Sequence, residues 1–173
     1  MNTEQQKIEY KSLQKIRTGE KGFKELSTTC VALANAQGGE IMIGVEDKTK
    51  KPAPNQVIPQ EEANSAVTRL RGLCFNVGLA VGDVCADETG SQYFAITVFP
   101  SLHSYATTSD GKMYIRVADK CEPVRSEDIQ RVGEEKGAFQ WELVPTQFEL
   151  GDENKTNLSK FANDIRQSDR VKQ

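Results

Sequence analysis

The sequence predicts an α+β domain, with a mixed, largely antiparallel sheet of about five or six strands flanked by helices. Two observations support this class. Apolar residues alternate with period two, as in half-buried strands, over the segments 8–12, 40–46, 80–86, 92–99 and 112–117. Between them, apolar residues recur with helical spacing over about 22–37, 61–78 and 126–136.

The first strand places two opposite charges, Glu9 and Lys11, on one face, because side chains alternate along a strand. The helix over 22–37 is predicted to end at the glycine pair 38–39, since glycine readily adopts the left-handed conformation of a helix end. The strand over 40–46 then closes on Asp47.

The later elements are predicted in the same way. The helix over 61–78 carries the clearest apolar stripe in the chain, and the strands 80–86 and 92–99 are joined by the turn signal at 87–90. Along 112–117, the alternation predicts an outward face that is aromatic and basic, with Tyr114 and Arg116. The alternative for Tyr114 is that it packs against a neighbouring element. A helix is expected to follow Ser126, which is a suitable N-cap.

Composition limits the function classes. No apolar run approaches the roughly 20 residues of a membrane helix. The four cysteines are far apart and only one histidine is present, so we expect no structural zinc, reduced and buried thiols, and a cytoplasmic protein. The net charge is −3, but residues 1–51 carry nine basic against seven acidic residues. Any nucleic-acid site must therefore be local.

Candidate site residues fall into two groups. Carboxylates that converge can bind a divalent cation such as Mg²⁺ or Mn²⁺, which can activate water at a phosphodiester; the residues are Glu4, Glu9 and Asp47. On spacing alone, an acid and a lysine two residues apart are more often a surface ion pair. The second group comprises the cations and the aromatic residue that suit nucleic-acid contact: Lys7, Lys11, Lys48, Lys50, Tyr114 and Arg116.

Three segments together resemble the Schlafen-type AlbA-like domain over about residues 4–136. They are Glu9-Tyr10-Lys11, the stretch 34–47 with Gly44-Val45-Glu46-Asp47 at its end, and Tyr114-Ile115-Arg116-Val117 followed by Ser126-Glu127-Asp128-Ile129. The resemblance implies DNA or RNA binding. In Schlafens that cleave transfer and ribosomal RNA, it also implies an active site at the three acids, here Glu4, Glu9 and Asp47. The zinc ligands of animal Schlafens have no counterpart here.

We therefore expect an AlbA-like nucleic-acid-binding domain over 1–137, of a transcriptional regulator or a similar regulatory protein. Residues 138–173 are expected to be a linker and the start of a further region, in a chain that is a fragment of a longer protein. The alternatives are a divalent-metal-dependent endoribonuclease and a protein-interaction or dimerisation module. No cofactor is implied outside the nuclease alternative. A homodimer is expected, because the Schlafen core has two such lobes around one groove and this chain has one.

Overall fold

The structure is a computed structural model that describes residues 7–102, 104–135 and 152–167. The chain divides into two compact units, Met1–Phe139 and Gln140–Gln173. The first unit contains nine strands in its described part: β1 (Ile8–Lys11), β2 (Gly39–Ile43), β3 (Cys74–Phe75), β4 (Gly78–Val81), β5 (Cys85–Ala86), β6 (Gln92–Phe99), β7 (Thr107–Thr108), β8 (Tyr114–Val117) and β9 (Lys120–Pro123).

Four helices accompany these strands: α1 (Gln14–Arg17), α2 (Glu20–Asn35), α3 (Gln60–Arg71) and α4 (Ile129–Glu135), the last preceded by a 3-10 turn at Ser126–Asp128. The second unit contains α5 (Asp152–Gln167), whose Leu158, Phe161 and Ile165 are exposed. No helix in the described residues is both long enough and apolar enough to cross a bilayer.

The main sheet has the order β1-β2-β6-β4, with β5 also paired to β6. Only β1 and β2 run parallel, with Glu9 opposite Ile41 and Lys11 opposite Ile43, and the other pairs are antiparallel. The predicted mixed, largely antiparallel α+β architecture is confirmed. The remaining strands form two small sheets, β3-β7 and the β8-β9 hairpin.

The core lies between one face of the main sheet and the two long helices. Apolar side chains of the inner strands β2 and β6 are fully buried there, as are residues of α2 and α3 at helical spacing: Ile41, Ile43, Phe94, Ile96, Val98, Leu26, Cys30, Leu33, Val67 and Leu70. Burying aliphatic and aromatic side chains of this size contributes roughly 1.5–3 kcal/mol each to stability. The core thus fixes the positions of β1 and β2, which carry the candidate site.

Several predicted boundaries were wrong for identifiable reasons. The helix predicted over 61–78 ends at Arg71, because Gly72 begins a turn and Cys74 pairs with Thr108 as a strand instead. The strand predicted over 40–46 ends at Ile43, since Gly44 has a positive φ of 92°. The segment 80–86 divides into β4 and β5. Cys30 and Cys74 are buried as predicted, whereas Cys85 is exposed and Cys121 is half-buried.

Gly44 gives a test of how the chain leaves β2. A Cβ at this position would lie 2.6 Å from Nε2 of Gln56, which donates to the carbonyls of Gly44 and Gln92. We expect Gly44→Ala to lower the free energy of unfolding by about 2–4 kcal/mol, from left-handed strain plus the disrupted amide contacts. Chemical denaturation monitored by circular dichroism would measure it.

The matched control is Gly90→Ala. Gly90 has a similar φ of 81°, but a Cβ there would meet no atom within 4 Å. We expect only the conformational cost, about 1 kcal/mol. Equal losses in the two variants would contradict a role for the Gln56 contacts.

Candidate functional site

The carboxyl ends of β1 and β2 lie at the same edge of the sheet, because these two strands are parallel. Lys11 ends β1, and its carbonyl accepts from the Gly44 amide at 2.8 Å, just after β2. The loop that follows, 46–51, carries Asp47 and three lysines. Residues that the sequence separates by almost 40 positions are thereby brought to one end of the sheet.

Glu9 is held by two cations. Its Oε1 accepts from Nζ of Lys11 at 2.6 Å, and its Oε2 accepts from a guanidinium nitrogen of Arg116 at 2.6 Å. The Glu9 side chain is 17% exposed and that of Arg116 only 5%. The predicted pairing of Glu9 with Lys11 is present, but a buried arginine 107 residues further along the chain makes it part of a larger cluster.

Arg116 also donates through its second terminal nitrogen to Sγ of Cys121, at 3.4 Å. Arg116 and Cys121 face each other directly in the β8-β9 hairpin. Burial disfavours the charge on Arg116, but the hydrogen bonds to Cys121 and Glu9 outweigh this, and the pKa of Arg116 lies above its ordinary value. We call Glu9, Lys11, Arg116 and Cys121 the ion cluster.

The helix α2 positions the hairpin that carries Arg116. The amide of the buried Asn35 donates to the carbonyls of Ala106 and Tyr114, at 2.8 and 2.9 Å, and its oxygen accepts from the Ala106 amide. Tyr114 packs against the core. The prediction that Tyr114 and Arg116 form an outward face is therefore wrong: this side of β8 turns towards α2 and the edge of β1, where burial and the Glu9 carboxylate hold it.

The side chain of Asp47 pairs with Lys50, which is outside the ion cluster. Its side chain is 78% exposed, and Oδ1 accepts from Nζ of Lys50 at 2.6 Å. This bond holds the pKa of Asp47 below its ordinary value. The same Lys50 ammonium lies 4.1 Å from the centre of the Tyr10 ring. The loop 46–51, which we call the lysine loop, is thus connected to β1 through Tyr10.

The described carboxylates do not by themselves fit a divalent cation. Both oxygens of Glu9 and one oxygen of Asp47 accept from cationic side chains. In the parts of the chain that the structure describes, no three side chains of histidine, cysteine, aspartate or glutamate come together as metal ligands. Glu4 falls outside the described residues, so the predicted three-acid set stays a prediction.

Sequence reasoning missed two participants. Cys121 gave no signal, because a lone cysteine in a short strand resembles any other small apolar residue. The sequence indicated that Asn35 lies at the end of a helix but not that its side chain binds Ala106 and Tyr114. The pairing of Arg116 with Glu9 had no local signal in the sequence, because 107 positions separate the two residues.

Three lysines of the predicted contact set, Lys11, Lys48 and Lys50, lie at the carboxyl end of β1 or in the loop 46–51. Lys7 precedes the amino end of β1, where its carbonyl accepts from the Glu40 amide.

Removing one partner from the ion cluster tests its importance for stability. Glu9→Gln leaves the buried Arg116 charge with a neutral acceptor, so we expect a loss of about 2–3 kcal/mol in the free energy of unfolding, because uncompensated buried charge is costly. Asp47→Asn removes the same charge from an exposed pair and should leave the free energy of unfolding almost unchanged. Urea denaturation of both variants makes the comparison; similar costs would refute the burial argument.

The comparisons with known proteins identify the family and the fold. The model of the family "Schlafen, AlbA_2" matches residues 4–125. Among solved structures, the chain is similar to the DIP2311 protein from Corynebacterium diphtheriae, with 21% sequence identity and a TM-score of 0.51, over 71% of this chain and 26% of that one. This similarity concerns the fold alone, and the chain spans about a quarter of that protein. No curated protein matches the sequence. Because the family model covers well over half of the sequence, this chain belongs to the Schlafen AlbA_2 family.

Proposed function

We propose that this chain binds nucleic acid, DNA or RNA, through a local basic surface made of the lysine loop and Lys11 of β1, and that it does so as part of a regulatory protein. The observation that carries the proposal is the lysine loop itself. It presents Lys48, Lys50 and Lys51, all exposed, beside an aromatic residue of the neighbouring strand.

The backbone fixes the shape of this loop. The Glu46 amide donates to the Lys51 carbonyl at 3.0 Å, and the Lys50 amide donates to the Glu46 carbonyl at 2.8 Å. Lys50 has a positive φ of 54°, which closes the turn. Val45 forms an isolated antiparallel bridge with Pro52 at its base. A loop held this way presents its lysines in a constant arrangement.

The local charge favours a phosphate backbone. The loop carries three lysines against Glu46 and Asp47, and Lys11 ends the neighbouring parallel strand β1 at the same end of the sheet. Asp47 is paired with Lys50. An exposed ion pair of this kind contributes little to stability, so a phosphate can replace the carboxylate at small cost. The protein can thus be acidic overall and still bind a polyanion locally.

Removing the loop charges should weaken binding. We expect the triple variant Lys48→Ala, Lys50→Ala, Lys51→Ala to lose at least about tenfold in affinity at 100 mM salt, and to lower the slope of log affinity against log salt by about 2–3, because fewer counterions are released. Fluorescence anisotropy with labelled single-stranded and duplex oligonucleotides, over a salt series, measures both quantities.

The control removes three exposed lysines elsewhere: Lys21→Ala, Lys24→Ala, Lys120→Ala. It changes the net charge equally, so an effect of overall charge would appear in both variants. Equal weakening in both would contradict a local site. Absence of binding at low salt in the unmodified chain would refute the proposal and leave a protein-interaction module.

A metal-dependent endoribonuclease is the second candidate. The observation that favours it is that Glu9 and Asp47, two of the three acids implied by the family resemblance, lie on or just after two adjacent parallel strands. The same oligonucleotides incubated with Mg²⁺ or Mn²⁺ test it by gel electrophoresis. Cleavage that disappears in the Glu9→Gln, Asp47→Asn double variant supports the nuclease. Cleavage that persists there would exclude these acids.

We also expect a homodimer, in which two single lobes form one groove. The exposed edge of the β8-β9 hairpin offers one surface for this, because β8 pairs only with β9 among the described strands. Light scattering should give about twice the chain mass of 19.2 kDa at micromolar concentration. A mass of one chain across a wide concentration range would contradict the expectation.

A further inference from the structure

The main sheet has one face that the core does not use. Alternate side chains of β6 turn towards the helices and are fully buried: Phe94, Ile96 and Val98. The residues between them turn to the opposite side, because side chains alternate along a strand, and they reach solvent: Tyr93, Ala95, Thr97 and Phe99. We call this opposite side of the main sheet the outer face. The outer face therefore offers side chains to a ligand, whereas the inner face of β6 offers none.

The strand register places an aromatic residue of β1 on the outer face. Ala95 of β6 lies opposite Met42 of β2, and Met42 lies opposite Tyr10 of β1. Residues that lie opposite each other on paired strands share a side of the sheet, so Tyr10 is on the same face as Tyr93. The two tyrosines belong to strands that are roughly 10 Å apart, with β2 between them. This end of the outer face thus carries two aromatic rings.

The cations of the lysine loop border the same end of the outer face. The loop follows β2, and Ile43 at the end of β2 lies opposite Phe94, the neighbour of Tyr93. Nζ of Lys50 lies 4.1 Å from the centre of the Tyr10 ring, and the Lys50 side chain is 53% exposed. The other two lysines of the loop are exposed as well. Aromatic rings and exposed ammonium groups therefore occur side by side.

We propose that the nucleic acid bound at the lysine loop is single-stranded, and that its unpaired bases stack on Tyr10 and Tyr93 while its phosphates contact the lysines. The assignment rests on the proposed function, because it names the ligand of the same site. Unpaired bases expose their π-faces and stack on aromatic side chains whatever their sequence. In a duplex, each base is stacked between its neighbours, so the two rings have no base to contact. Aromatic rings beside cations therefore favour a single strand over a duplex.

One acid on the outer face limits how the strand can lie. Glu40 is exposed and stands two residues before Met42 on β2, so both are on this face. A carboxylate repels phosphates, and it can accept a hydrogen bond from the amino group of a base. The sugar-phosphate backbone is therefore expected to follow the lysine loop, with the bases turned towards the middle of the sheet.

The first test compares single strands with duplexes, using the unmodified full chain. Fluorescence anisotropy with labelled RNA and DNA, at about 100 mM salt, measures both affinities. We expect single strands to bind at least about fivefold more tightly than duplexes of the same sequence. Equal or tighter binding of the duplexes would overturn the single-strand assignment and leave the proposed function intact. Absence of binding to either form at low salt would overturn both.

The second test removes the rings. We expect the double variant Tyr10→Leu, Tyr93→Leu to lose at least about tenfold in affinity for single strands of about six nucleotides. Its affinity for duplexes and its salt slope should stay unchanged, because every lysine remains.

The matched control, Phe75→Leu, Phe99→Leu, removes two exposed rings outside the proposed contact. Phe75 belongs to the small sheet β3-β7, and Phe99 lies at the other end of β6 from Tyr93. This control should bind single strands as the unmodified chain does. Equal weakening in the two double variants would overturn the proposal.

Ultraviolet cross-linking of the unmodified chain to a single strand gives an answer that does not depend on the folding of a variant. Peptide mass spectrometry should find the attached nucleotide at Tyr10 or Tyr93. Cross-links confined to other residues would overturn the stacking. Light scattering of the Tyr10→Leu, Tyr93→Leu variant gives the last check: a change from two chains to one would assign the outer face to a contact between copies of the chain, and would overturn the proposal as well.

Discussion

The structure around the candidate site depends on one ion pair, between Glu9 on β1 and Arg116 on β8. It joins the edge strand of the main sheet to a hairpin that belongs to a different sheet. Arg116 is buried, and without the carboxylate its charge would have a thiol as its remaining side-chain contact in the described structure. The cost of that isolation explains why Glu9 is engaged on both oxygens, and why the basic character of this edge resides in the lysines rather than in Arg116.

The exposed and the buried cations have different roles, and the difference follows from their burial. Cations with exposed side chains, such as Lys48 and Lys50, can exchange partners at small cost, whereas Arg116 cannot. A surface that recognises a polyanion needs exposed cations, which can exchange partners. A framework that holds such a surface needs buried cations, which keep their partners. The Schlafen AlbA_2 domain contains both kinds of cation close to β1. Tyr10 contacts the exposed Lys50, and Lys11 contacts Glu9, which is the partner of the buried Arg116.

The sequence was sufficient where local signals agree with the final packing. The strand 92–99 alternates strictly and pairs on both sides, so its bounds were predicted to the residue. The architecture and the Glu9–Lys11 pair were also predictable, because both depend on alternation. The orientation of β8 was not predictable, since alternation defines the two faces of a strand but does not say which of them turns towards the core. That choice depends on Asn35, about 80 positions earlier, which binds the carbonyl of Tyr114. Helix α3 was predicted too long because residues beyond Gly72 stay apolar for a different reason, the pairing of β3 with β7.

The parallel pairing of β1 with β2 has a consequence for how the domain assembles. Parallel neighbours need a long connection, and α1 and α2 provide it here. The contact from Glu9 to Arg116 closes a loop of 107 positions, and contacts this distant in sequence carry a large closure entropy and slow folding. A partly folded chain in which this loop is still open lacks the paired carboxylate of Glu9, so the Glu9–Arg116 pair reports completion of the fold.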